Sequence, residues 1–284
     1  MGSGVSALRT FMKGLEVIGN NIANVNTTGF KSSEAKYADS FSNILQRSAP
    51  STATATNMPS SGVGTGVALA GVTTNFAQGS LASTGKDTDL GVSGNGFFRV
   101  KNPVDGAEYA TRSGDFRWDD KGYLVTAQGY RVQGLTGAAL GAVGDIKLGT
   151  PPAGTQLQSA TIDRGGKVVE FYSDGTSATV NQVALQSFND PSALVKEGNN
   201  LYTALLAAGP VGTAAGSIAL QTGTTNAPGK NGLGIIQSGA LELSNVDLTD
   251  QFANLITTQR SFQAGSRLIT VSDTILDDIV NLKR

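Results

Sequence analysis

Apolar residues near the N-terminus fall into a narrow stripe. Leu8, Phe11, Leu15, Ile18, Ile22 and Val25 are spaced 3, 4, 3, 4 and 3 residues apart. That is the a/d pattern of a coiled-coil seam, with mostly polar residues at the other positions. It predicts a helix that stops between Asn26 and Gly29, where Asn, Thr, Thr and Gly supply helix-ending and turn chemistry. The C-terminal end carries a second stripe. Leu248, Leu255, Phe262, Ile269 and Leu276 recur every seven residues. Phe252 and Val280 extend that face, and Leu268, Ile275 and Ile279 widen it late. Asp247 is placed to cap this helix, with Asp250 three residues on. Lys283 and Arg284 stand where the helix dipole favours cations. A helix from Leu248 to Leu282 would be on the order of 50 Å long. Gln259, Ser266 and Asp273 interrupt the other heptad position, which predicts a seam shared with other partners over a self-sufficient zipper.

The stretch between the stripes has a different character. Ser48 to Thr56 holds almost nothing large to bury, and Gly62, Gly64 and Gly66 follow, so this region reads as linker or loop. From Gly71 to Gly239 the signals are strand and turn. Phe97-Phe98-Arg99-Val100, Tyr123-Leu124-Val125 and Tyr130-Arg131-Val132 are short β-type runs, and Asp105-Gly106, Lys121-Gly122 and Asp174-Gly175 mark tight turns. Val168 to Phe188 reads as a long hairpin about Asp174-Gly175. Its second arm alternates Val183 and Leu185 with Gln182, Ala184 and Gln186, as if one face were buried. No helix alternates with these strands, which argues against a parallel α/β sheet. The pattern therefore predicts an α+β chain: N- and C-terminal helices paired as a coiled-coil-like element, with a central all-β domain. The expected boundaries are 1–30 and 245–284 for a terminal helical assembly domain, 31–70 for a linker or extended region, and 71–244 for the β domain. Two amphipathic helices packed on their own globule are the plainer alternative. The stripes differ from that case in being narrow seams at the two extremes of the chain.

Composition narrows the chemistry. Lys and Arg number 21 against 22 Asp and Glu, so no basic excess points to nucleic acid. The chain has no Cys and no His, which removes disulfides, thiolate nucleophiles, the commonest general base and the commonest metal ligand. Ala204 to Ala208 is the longest apolar run, far short of a membrane span, and the N-terminus lacks the apolar core of a cleavable signal peptide. Gly62-Val63-Gly64-Thr65-Gly66 and Gly91 to Gly96 lack the Gly-Lys-Ser/Thr ending of a phosphate loop and read as turns. No calcium-loop spacing is present. Carboxylates remain: Asp87 with Asp89, Asp115 with Asp119 and Asp120, and Asp277 with Asp278. A carboxylate-dependent hydrolase acting on cell-wall sugar is thus the one enzymatic alternative, with a single Trp, Trp118, to line a sugar cleft. The expectation is no catalytic residue, no cofactor, no metal, no nucleic acid and no membrane insertion.

The run Gly19-Asn20-Asn21-Ile22-Ala23-Asn24-Val25-Asn26-Thr27-Thr28-Gly29-Phe30-Lys31 resembles the N-terminal signature of the bacterial flagellar rod and hook family. The family signature falls on Asn20, Asn21, Ala23, Asn24, Asn26, Thr27, Thr28, Gly29 and Phe30. Thr84 to Leu90, Gly94 to Phe98, Asp120 to Val125 and Gln128 to Arg131 resemble the family's first β segment. Gly198-Asn199-Asn200-Leu201-Tyr202 resembles a hook-type motif. The C-terminal runs Gln259 to Arg267 and Asn281 to Arg284 resemble the hook branch more than the distal rod, in a short form without the usual second outer domain. The resemblance covers nearly the whole chain. It implies terminal helices that pair into an inner tube under a decorating β domain. It also implies export through the flagellar type III channel without a cleaved signal, and a place in the hook and basal body. The implied partners are other copies in a helical homopolymer, rod, hook-cap and hook–filament junction proteins, and the export apparatus. The expected function is a structural hook subunit coupling motor to filament, with a distal or proximal rod subunit as the alternative. Seams at both ends of a chain stay unsatisfied in a lone globule and can be satisfied in a repeating lattice through heterologous contacts. The expected assembly interface is Leu8, Phe11, Leu15, Ile18, Ile22, Val25, Leu248, Phe252, Leu255, Phe262, Ile269, Leu276 and Val280.

Overall fold

The computed structural model describes residues 2–48, 56–137, 140–213, 217–218, 220 and 226–282. Of the low-complexity stretch 48–56, residues 49–55 lie outside the described residues. The chain forms two compact units from interleaved segments. One draws on residues up to Asn24, on Ser32–Asn75 and on residues from Val246; the other on Val25–Lys31 and Phe76–Asn245.

In the first unit, helix α1 (Gly2–Ala23) and helix α2 (Leu248–Asn281) run antiparallel. Gly4 lies beside Ile269, Gly265 beside Leu8 and Gly14 beside Thr258, and Asn21 Nδ2 donates to Gln251 Oε1 at 3.0 Å. The expected cap forms: the Asp247 carboxylate accepts from the backbone N–H of Thr249 at 2.8 Å and of Asp250 at 3.4 Å. α1 ends at Ala23, earlier than the expected stop at Asn26–Gly29, and so leaves Val25 outside the helix. Asn24 ends it: its side-chain amide donates to the Asn20 carbonyl at 2.9 Å and so occupies an acceptor of the last turn.

Residues 31–70, read from sequence as linker or extended chain, carry strands. These are β1 (Ser33–Asp39), β2 (Ser42–Gln46), β3 (Ser61–Gly64) and the start of β4 (Val67–Thr74). β1 pairs antiparallel with β4, and β2 with β3. The cause is legible in β4. Val67, Leu69, Gly71 and Thr73 are sheltered while Ala68, Ala70 and Val72 are exposed, the period-two alternation of a half-covered strand. α1 lies close on these strands. Thr10 Oγ1 donates to the Val67 carbonyl at 3.3 Å, and a Cβ on Gly14 would collide with the Tyr37 hydroxyl.

The second unit is all β. Its main sheet runs antiparallel in the order Leu157–Ile162, Lys167–Tyr172, Ser177–Val183, Arg131–Thr136, β7 (Phe97–Lys101), Glu108–Thr111, Leu201–Thr203 and Val195–Gly198. Two separate two-stranded ladders accompany it: β5 (Leu81–Ser83) with Ala240–Glu242, and β6 (Leu90–Ser93) with Ile235–Ser238. β7 is covered on both sides. Phe98 and Val100 enter a core with Leu90, Phe116, Ile146 and Leu185, whereas Phe97 packs with Phe188, Leu194 and Tyr202. The hairpin about Asp174-Gly175 forms as expected, between Lys167–Tyr172 and Ser177–Val183. Its second arm departs from the expected single buried face, because Asn181 to Gln186 are all buried. Loop carbonyls make this possible: Gln182 Nε2 donates to Gly165 at 2.6 Å and Gln186 Nε2 to Val211 at 2.6 Å.

Candidate assembly surfaces

The helix pair does not bury the stripes that announce it. The buried residues of α1 are Gly4, Thr10, Gly14 and Asn21, and that of α2 is Gly265. Glycines at the contact make room for side chains of the opposite helix: Gly4 for Ile269 and Gly265 for Leu8. Leu8, Phe11, Leu15, Ile18, Ile22, Leu255, Phe262 and Ile269 are only half-buried, as is Val25 beyond the helix end; Leu248, Phe252, Leu276 and Val280 are exposed. The antiparallel register runs out at the start of α1. Past Val271, α2 continues to Asn281 with no described α1 residue opposite, about 15 Å of helix. Ile275, Leu276, Ile279, Val280 and Leu282 are exposed there, Val280 at 66%.

A second apolar surface was not visible in the sequence. All described residues of β2 and β3 are exposed, and with them Phe41 at 90%, Leu45 at 71%, Ile44 and Val63. A two-stranded ribbon with no covered face is marginal in water. Its signal was the run Phe41 to Leu45, masked by the polar, low-complexity sequence that follows.

A groove of about 580 Å³ lies between α1, β1 and α2. Gly14, Ile18, Tyr37, Asn254 and Thr258 line it, with Glu34 and Asp250 as its carboxylates. Of the carboxylates singled out in the sequence as catalytic candidates, Asp89 accepts from Thr84 Oγ1 at 2.7 Å, Asp115 accepts from Ser113 Oγ at 2.5 Å, and Asp277 and Asp278 lie in α2.

The signature residues divide between the two units. Asn20, Asn21, Ala23 and Asn24 belong to the end of α1, where Asn21 also accepts from the Ser33 N–H at 2.9 Å. The rest belong to the β unit. Asn26 is exposed, and the Thr27 carbonyl accepts from the Phe30 N–H at 3.3 Å. Asn200 Nδ2 donates to the Thr28 carbonyl at 2.6 Å, and the Gly29 N–H to the Glu242 carbonyl at 2.7 Å. Phe30 is buried under the Lys196 ammonium, 4.3 Å from its ring centre. Lys31 is fully buried and donates to Glu242 Oε1 at 2.6 Å and to the Ala77 carbonyl at 2.8 Å. Burial lowers its pKa, against the opposing pull of Glu242. Sequence reasoning held Lys31 only as the last member of the signature run and missed Arg112 and Glu242, since isolated charges ordinarily read as solvated.

Three family descriptions match the chain: "Flagella basal body rod protein" over residues 1–31, "Flagellar hook protein FlgE/F/G D1 domain" over 91–170 and "Flagellar basal body rod FlgEFG protein C-terminal" over 237–282. The chain is 39% identical over 282 residues to the flagellar basal-body rod protein FlgG of Bacillus subtilis, covering 99% of this chain and 98% of that one. It is 31% identical over 290 residues to FlgG of Caulobacter vibrioides, covering 98% and 100%. Similarity to the flagellar hook protein FlgE of Borreliella burgdorferi is 26% over an alignment of 450 positions, covering 99% and 98%.

Proposed function

Because the chain belongs to the family of bacterial flagellar rod and hook proteins, we propose that it is a rod subunit that assembles with copies of itself into a helical tube. As a member of that family it is a structural axial component of the flagellum and serves motility. The observation that carries the rod reading is the end-to-end match to FlgG, with 98% of the Bacillus subtilis protein covered. This replaces the hook as the main reading. The hook-like C-terminal runs led toward the hook, but the hook relative aligns only across 450 positions, as expected for a longer protein with inserted sequence.

The seam residues fit this role. Leu15, Phe262 and their neighbours stay half-buried within one chain, which supports burial of the remainder against further copies. Other rod and hook proteins are the natural neighbours at either end of such a tube, and export through the flagellar channel would bring the chain there. The structural character of the family supports a role without catalysis.

Electron microscopy tests the reading. Concentrated full-length protein should form tubes, and Leu15→Asn or Phe262→Ser should abolish them while the β unit melts as before. Basal bodies from cells lacking the protein should have an incomplete rod. A complete rod that lacks only its hook would restore the hook assignment, and a large fall in β-unit melting with tubes intact would refute assembly through the helices.

A further inference from the structure

Glu242 is the centre of a buried ionic cluster in the β unit. Its Oε1 accepts from Lys31 Nζ at 2.6 Å and from the Gly79 N–H at 2.9 Å; its Oε2 accepts from Arg112 at 3.3 Å. Arg112 also donates to the Gly94 carbonyl at 3.0 Å and lies 5.0 Å over the Phe97 ring. The Lys31 and Glu242 side chains are wholly buried and that of Arg112 nearly so. Two cations therefore share one carboxylate.

The cluster ties together the first segment that the chain contributes to the unit, Val25–Lys31, and the last strand before the chain finally leaves it at Asn245. The incoming segment supplies Lys31, and the Gly29 N–H reaches the Glu242 carbonyl. The outgoing segment supplies Glu242 from the strand Ala240–Glu242, and the Asn245 N–H reaches the Phe30 carbonyl at 3.4 Å. Arg112 comes from between them, at the end of Glu108–Thr111. We propose that Glu242 is a closing latch: the β unit completes its fold only when the outgoing strand docks beside the incoming segment.

The argument is one of charge and order. Removing one partner of a buried pair leaves an uncompensated charge, and the loss is a sizeable fraction of the net stability of a domain. Without Glu242, two cations would be buried with no carboxylate. Glu242 lies 211 residues after Lys31 and 130 after Arg112. A chain that emerges N-terminus first, from a ribosome or a channel, thus presents both cations long before their anion and stays open until residue 242 is released. A fragment of 71–239 would bury Arg112 with neither Lys31 nor Glu242 present. The stoichiometry also makes the cations unequal to the anion: loss of Lys31 leaves a neutral Arg112–Glu242 pair.

Amide hydrogen exchange on the full-length protein tests this at Val100 and Ala110, in the middle of the main sheet. Glu242→Gln should speed exchange at both by about a hundredfold. Lys31→Met should speed it by less than about tenfold, and replacing all three by apolar residues (Lys31→Met, Arg112→Met, Glu242→Leu) should restore protection to within about tenfold of wild type. Under pulse labelling during refolding, β7 should gain protection together with the strand Ala240–Glu242. The latch is overturned if Glu242→Gln exchanges within about tenfold of wild type, if Lys31→Met is as open as Glu242→Gln, if the triple variant stays open, or if β7 is protected first.

Discussion

At Gly29 the backbone takes a φ of +68°, and a Cβ there would stand 2.6 Å from the Ser113 nitrogen. Both the left-handed conformation and the close approach require glycine. Gly29→Ala should therefore destabilise the β unit by about 2 kcal/mol, read as a lower urea midpoint at unchanged slope. An unchanged midpoint would mean that the segment 25–31 is not part of that unit's cooperative fold. The sequence made this residue visible only as a member of a motif and as helix-stopping chemistry. What it does depends on Ser113 and Glu242, and no local periodicity reports partners so distant. The same holds for Lys31, whose side chain meets the fully buried carboxylate of Glu242.

Among elements, the helices were legible and their packing was not. Heptad spacing and an Asp at the right offset fix the existence of α2 and its start at Leu248. Spacing cannot say which face the partner helix covers. Here the stripe residue Leu8 meets Gly265 of α2, while Thr10 reaches Val67 of β4 and Gly14 faces Tyr37 of β1, so α1 divides its covered positions between the partner helix and the strands. β2 and β3 were lost to the linker reading because an exposed ribbon carries no inward-facing alternation. The end of α2 yields a prediction that separates assembly from folding. Leu276→Ser combined with Ile279→Ser removes exposed apolar groups with no described α1 residue opposite. Burial of such side chains is worth roughly 1.5–3 kcal/mol each when complete, so the critical concentration for tube formation should rise about tenfold or more. Helical circular dichroism and melting of the dilute monomer should stay as in wild type. A monomer that melts markedly lower would assign this end of α2 to the subunit's own packing.

For the whole molecule, strand and turn signals suggest a β region at 71–244, whereas the compact β unit is made of Val25–Lys31 and Phe76–Asn245. The inclusion of residues 25–31 is a property of chain crossings, which become apparent only once the outgoing strand is seen beside the incoming segment. The hook-or-rod question likewise turns on the span of the full chain against its relatives, since a seam looks alike in either.

The apolar residues left in water have a thermal consequence. Phe41, Leu45, Leu276, Ile279 and Val280 hold hydration water that association would release. Transfer of such surface out of water is driven by entropy near room temperature and carries a negative heat-capacity change. Tubes made by covering these residues should therefore grow on warming and shed subunits in the cold, and sulfate should favour them. Light scattering between about 4 and 30 °C, with calorimetry of dilution at two temperatures, would register this. Assembly that strengthens on cooling would instead assign the joints to charge and hydrogen bonding, and these side chains would then remain wet within the tube.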